Sequence, residues 1–89
     1  MVKISEIKPL SNFQLYIKYE DGIEGQQDLT RLFQIRNLDQ TYFEQVALDK
    51  KRGVPVWDEE LEIDGFKPYL DFTHQTFEEY CERSRKNVA

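Results

Sequence analysis

Five acidic side chains fall within seven residues, Asp58-Glu59-Glu60-Leu61-Glu62-Ile63-Asp64. Glu60-x-Glu62-x-Asp64-Gly65, with Asp71 further on, echoes a Ca²⁺ loop, whose oxygen ligands sit at positions 1, 3, 5 and 12 with Gly at 6. The fit is poor. The first two positions carry Glu where the shorter Asp belongs, the last lacks the bidentate Glu, and Pro68 falls inside the loop. Leu61 and Ile63 alternating with Glu60 and Glu62 is a strand pattern, so the acids read as a solvated rim that attracts a basic partner.

His74 is the only histidine, and Cys81 lies seven residues beyond it. On one helix they would stand about 10 Å apart at 1.5 Å rise per residue, too far for the base–nucleophile contact that covalent catalysis requires. No Gly-rich phosphate loop and no Cys-x-x-Cys pair occurs, so the expectation is no catalytic residues, no cofactor and no metal. Trp57, beside the acids, either lines a small pocket with Asp58, Glu60 and His74 or packs over the core; the area it buries favours packing. The candidate binding residues are thus Trp57, Asp58, Glu59, Glu60 and Glu62. Lys50-Lys51-Arg52 reads as a solvated turn, since no aromatic is interleaved as single-strand nucleic-acid binding would want.

The elements that must position these residues follow from periodicity. Val2, Ile4 and Ile7 form a first strand that stops at Pro9, which donates no ladder hydrogen bond. Phe13, Leu15, Ile17 and Tyr19 share one face of a second strand. Asp21-Gly22 is a strong hairpin signal, and the polar stretch Ile23–Asp28 beyond it reads as a weak edge strand. Leu29, Leu32 and Phe33 repeat at helical spacing, and Asp39 or Thr41 caps a turn holding Tyr42 and Phe43. Val46 and Leu48 make a fourth strand and Val54 and Val56 a fifth, with Leu61 and Ile63 a short extended piece. Pro68 marks a turn or a helix start. Thr73 or Thr76 caps a final amphipathic helix over 73–87, with Phe77, Tyr80, Cys81 and Ser84 on its docked side. Thr76-x-x-Glu79 has capping-box form.

Together these define an α+β fold: one small antiparallel sheet of about five strands, short helices and a C-terminal amphipathic helix, in a single domain over 1–89. The expected core is Ile4, Leu15, Ile17, Leu32, Phe33, Phe43, Val46, Leu48, Val56, Trp57, Phe77 and Tyr80.

Composition narrows the function classes. Of 89 residues, 33% are charged and 13% aromatic, and the net charge is −5. Duplex DNA binding needs a clustered basic face, so this balance argues against direct nucleic-acid binding. No apolar run approaches the ~20 residues of a membrane span. Met1-Val-Lys-Ile-Ser-Glu-Ile does not read as a signal peptide. The single Cys81 cannot close an internal disulfide, which suits a reducing, cytoplasmic setting. A protein partner, of basic character, is the expectation; the oligomeric state is open.

Three segments carry a resemblance: Leu15-Tyr-Ile-Lys-Tyr-Glu-Asp-Gly with Asp28-Leu29 and Leu32-Phe33; Tyr42-Phe43-Glu-Gln-Val46-Ala-Leu48-Asp49; and Val54-Pro-Val56-Trp57 with Leu61-Glu-Ile63-Asp64. In this order, over residues 2–70, the chain resembles the small bacterial domain of unknown function family 2442. The resemblance implies an α+β domain with an antiparallel sheet and no catalytic residues. Some members of that family resemble the smaller, antitoxin-like partner of two-gene modules. Others carry a DNA-binding helical domain next, whereas this chain has room after Leu70 for one helix. It also has Asp58 after Trp57, where a proline-containing turn would be expected.

Overall fold

The computed structural model describes residues 2–86. The order of elements is β1 (Ile4–Pro9), β2 (Gln14–Tyr19), β3 (Glu24–Asp28), α1 (Thr30–Ile35), α2 (Gln40–Phe43), β4 (Ala47–Asp49), β5 (Val54–Asp58), β6 (Leu61–Glu62), α3 (Phe66–Phe72) and α4 (Phe77–Lys86). The class is α+β, but the single sheet of about five strands is corrected to two three-stranded antiparallel sheets, β1-β2-β3 and β4-β5-β6. The reason lies in β1. Its register breaks between Ile4 and Glu6, and a bulged strand bends, so it offers β4 no straight edge for a continuous ladder. The two sheets meet there through other groups. The Lys3 ammonium donates to the Lys51 carbonyl at 3.4 Å, and a Cβ placed on Gly53 would lie 3.0 Å from that of Lys3.

In β2 the alternation works as the pattern requires: Leu15, Ile17 and Tyr19 are buried and Lys18 is exposed. The Asp21-Gly22 corner is a three-residue loop. Gly22 takes φ 92°, its N–H donates to the Tyr19 carbonyl at 3.0 Å, and the Tyr19 N–H donates to Ile23 at 2.8 Å. The β1–β2 corner is less ordinary. Asn12 and Phe13 both adopt φ 58°, a region that costs a bulky residue strain. Gln40 holds the corner from α2: its Oε1 accepts the Phe13 N–H at 3.0 Å and its Nε2 donates to the Leu10 carbonyl at 2.9 Å. The Phe13 ring in turn lies 5.5 Å from Phe33 and 5.7 Å from Phe43.

One core serves both sheets. Ile4, Leu15, Ile17, Tyr19, Leu29, Phe33, Phe43 and Leu61 are buried together. Tyr19, Leu29 and Leu61 join the expected set. Leu32, Val46, Leu48 and Trp57 are packed against it but only partly buried, and Val56 and Tyr80 are likewise partly buried. Phe77 is 58% exposed: its helix reaches the body through α3, by ring contacts of Phe77 and Tyr80 on Phe66 and of Tyr80 on Tyr69. Pro68 is buried within the first turn of α3, a place where its missing N–H costs nothing. Phe72 of the same helix lies against β3, where Gly25 leaves room for the ring; a Cβ there would stand 2.7 Å from it. Helix α4 starts one residue after Thr76. The Thr76 hydroxyl accepts the Glu79 N–H at 3.1 Å, and the Glu79 carboxylate accepts the Thr76 N–H at 3.2 Å, a reciprocal capping box. Thr73 instead closes α3. Residue 87, the last of the expected helix, lies outside the described residues.

Candidate interaction surface

The acidic segment is divided between the turn of the β5–β6 hairpin and the chain from β6 onward. Asp58 closes that turn. Its Oδ1 accepts the N–H groups of Glu60 at 2.8 Å and Leu61 at 2.9 Å, and its Oδ2 accepts the Tyr42 hydroxyl of α2. Asp58 therefore holds a turn and ties the second sheet to α2. With Asp58 engaged, Glu59 and Glu60 are exposed at the hairpin tip, and no hydrogen bond or ion pair of their carboxylates occurs among the described residues. Glu62 projects from β6 and pairs with Arg52 at 2.7 Å; Arg52 also meets Asp49 at 2.8 Å. Asp49 is fixed by its own turn, accepting the N–H groups of Lys51 and Arg52 at 3.0 and 3.1 Å, so part of the basic run is neutralised locally.

Trp57 stands apart from the acids. Its ring centroid lies 5.1 Å from that of Phe33 and 5.8 Å from that of Phe43, and its indole N–H donates to the Phe43 carbonyl at 2.9 Å. That geometry uses the apolar body and the one polar atom of the side chain within the core. His74 sits in the α3–α4 connection at φ 54°, and Cys81 is part-buried on α4. Among the described residues no three His, Cys, Asp or Glu side chains converge as metal ligands would.

Sequence reasoning missed a groove beside the hairpin. It has a volume of about 300 Å³ and is lined by Leu29, Leu32, Ile63 and Pro68, with Gln27, Glu62, Asp64 and Lys67 around them. Leu32 and Ile63 had periodicity to mark them as apolar, but only the packing of α1 beside β6 and α3 brings them together. Glu62 and Asp64 thus edge an apolar depression, a combination of anchor site and charged rim found in protein recognition.

The electrostatics follow the hydrogen bonds. The Tyr42 hydroxyl, and then the N–H groups of Glu60 and Leu61, hold the Asp58 carboxyl below the usual carboxylate range, while the same contact pushes Tyr42 up. The Arg52 guanidinium does the same for Asp49. A carboxyl whose pKa is lowered by folding stabilises the fold above its unfolded value, near 4, and loses that contribution as pH falls through the lower folded value. Replacing Asp58 with alanine is therefore expected to lower the melting temperature at neutral pH, and the gap to the native chain should narrow at about pH 2. Thermal melts at both pH values check this; a gap independent of pH would assign the loss to something other than the carboxylate.

No family model, no curated protein and no solved structure matches the chain. Among the described residues no helix is long and apolar enough to cross a membrane.

Proposed function

We propose that this chain is a non-enzymatic protein-interaction module that takes a basic partner on the β5–β6 turn and the groove beside it. One observation carries the reading: Asp58 spends its carboxylate on Tyr42 and on the turn backbone, and so presents Glu59 and Glu60 to solvent on a fixed scaffold. Preorganised charge of this kind steers an oppositely charged partner and sets its register. Leu32 and Ile63 supply the apolar contact that charge alone lacks. The reading includes membership of the domain of unknown function family 2442 and a regulatory role as the accessory, antitoxin-like half of a two-gene system; both rest on the resemblance of residues 2–70.

The test is capture of the partner from host lysate by the tagged chain, identified by mass spectrometry, with Glu59→Lys/Glu60→Lys as control. These two residues are preferred to Glu62, whose reversal would also release Arg52. The double variant is expected to weaken the partner's affinity at least about tenfold, or 1.4 kcal/mol, while its stability stays within about 0.5 kcal/mol of the native chain. A partner that binds the variant as tightly as the native chain would remove the acidic turn from the interface.

A further inference from the structure

Strand β3 is an open edge of its sheet. The Tyr19 N–H donates to the Ile23 carbonyl and the Leu29 N–H to the Phe13 carbonyl, so the odd-numbered residues from 23 to 29 direct their backbone groups at β2. By the alternation of an antiparallel ladder, the N–H and C=O groups of Glu24 and Gln26 and the N–H of Asp28 point the other way. Among the described residues no hydrogen bond takes them up. The register with β2 is unbroken over all five residues, and none of them is proline or lysine, so the edge lacks the bulge, Pro or Lys that would turn an added strand away.

Its side chains define what it accepts. Glu24 and Asp28 flank Gln26 on the exposed face. Each is held in place: Glu24 accepts the Tyr16 hydroxyl at 2.7 Å, and Asp28 accepts the Thr30 N–H at 2.9 Å. Lys18 stands opposite Glu24 on β2 but makes no ion pair among the described residues. These acids bar a second copy. Antiparallel pairing centred on Gln26 would set Glu24 of each chain across from Asp28 of the other, and like charges directly opposite are destabilising. A strand with Lys or Arg at those places meets the reverse condition. On the other face, the half-buried Phe72 ring lies over Gly25, and Gln27 lines the groove together with Leu29.

We propose that β3 takes up an extended segment of a basic partner as a fourth, antiparallel strand, with Lys or Arg opposite Glu24 and Asp28 and apolar residues between them on the Phe72 side. In this mode of recognition main-chain hydrogen bonds give affinity and alternate side chains give specificity. The inference rests on the proposed interaction for its basic partner, and adds how that partner is held.

The probe is the acetylated, amidated peptide Lys-Val-Lys-Val-Lys, titrated into the isotope-labelled full chain and followed by amide resonances. A dissociation constant on the order of 1 mM is expected, with the shifts centred on Glu24, Gln26 and Asp28. In the proposed register the peptide's Lys N–H groups face β3 and its Val N–H groups face away. N-methylation of the central Lys should therefore weaken binding about tenfold, and N-methylation of a Val should leave it unchanged. Gln26→Pro removes an N–H that the chain's own ladder does not use, a place where an edge strand tolerates Pro, and should abolish binding. Glu24→Gln/Asp28→Asn keeps acceptors for Tyr16 and Thr30 while removing the charge, and should weaken binding about fivefold. Equal effects of the two N-methyl peptides, or no shift in β3 up to about 5 mM peptide, would overturn the proposal. So would a native chain that dimerises without peptide and loses this in Gln26→Pro, since a second copy would then own the edge. Shifts confined to Glu59 and Glu60, or a lysate partner lost by Glu59→Lys/Glu60→Lys but kept by Gln26→Pro, would overturn the strand addition and leave the proposed partner interaction standing.

Discussion

Replacing Phe33 with alanine is expected to lower the unfolding free energy by about 3–5 kcal/mol, the range for a large buried aromatic. Phe33 is completely buried. Its ring centroid lies 5.5 Å from Phe13, 5.0 Å from Phe43 and 5.1 Å from Trp57, so truncation leaves a void bounded by three rings. One of these, Phe13, hangs from the backbone corner at φ 58°, whose strain the surrounding packing must outweigh. The cavity therefore cannot collapse without disturbing the β1–β2 turn, which places the expected cost toward the upper end. Small domains have only about 5–15 kcal/mol in total, and each kcal/mol moves the melting temperature by about 4–8 °C at this size. Urea denaturation of Phe33→Ala beside Ile35→Ser makes the comparison internal. Ile35, two residues along the same helix, is 72% exposed, and its loss should change stability by less than about 0.5 kcal/mol. Similar losses at the two positions would mean that the core is not organised around Phe33.

The same four rings show how far the sequence carries. Phe33 and Phe43 stand in short helical segments that spacing and the Asp39 cap identify, and Asp39 does accept the Tyr42 N–H at 2.9 Å. The alternation of β2 and the Asp21-Gly22 corner were legible for the same reason: both are local patterns with a single satisfactory geometry. What was not legible depends on contacts distant in sequence. The split into two sheets turns on the bulge in β1 and on an 18-residue helical connection, Leu29 to Val46, that carries the chain out of the first ladder. Tyr42 and Asp58 are 16 residues apart, so nothing in the acidic run distinguishes the carboxylate that holds the turn from the two that face solvent. Pro68 left a turn and a helix start both open, and the structure shows it in the first turn of α3. Phe77 had the right spacing for a docked residue, but periodicity reports which side of a helix is apolar and not whether anything lies against it.

Tyr19 joins the two halves of the molecule, and its removal should be nearly as severe as that of Phe33. The side chain is 1% exposed. It rises from β2, meets Tyr69 and Phe72 of α3 edge-on at 4.9 and 6.3 Å, and donates its hydroxyl to the buried Gly65 carbonyl ahead of that helix. Tyr19→Ala is expected to cost about 3–5 kcal/mol. Tyr19→Phe keeps the ring and removes only the hydroxyl, so about 1–3 kcal/mol should be lost through the carbonyl left short of a partner. The difference between the two variants apportions the link between ring and hydroxyl. Alkaline pH tests it in a second way. Burial pushes the Tyr19 phenol well above its ordinary value, with the charge of Asp64 adding to the effect. The Tyr69 phenol, donating to Asp21 at 2.7 Å, is pushed up to about 12. Groups whose pKa is raised by folding contribute fully below the unfolded value, near 10, and lose that contribution as pH rises through the folded value. Stability should accordingly hold to about pH 10 and fall beyond it, more shallowly in Tyr19→Phe, which has one buried phenol fewer to ionise. Urea midpoints at about pH 8 and pH 11 distinguish the outcomes: parallel losses in both chains would show that the Tyr19 hydroxyl does not govern the alkaline limit.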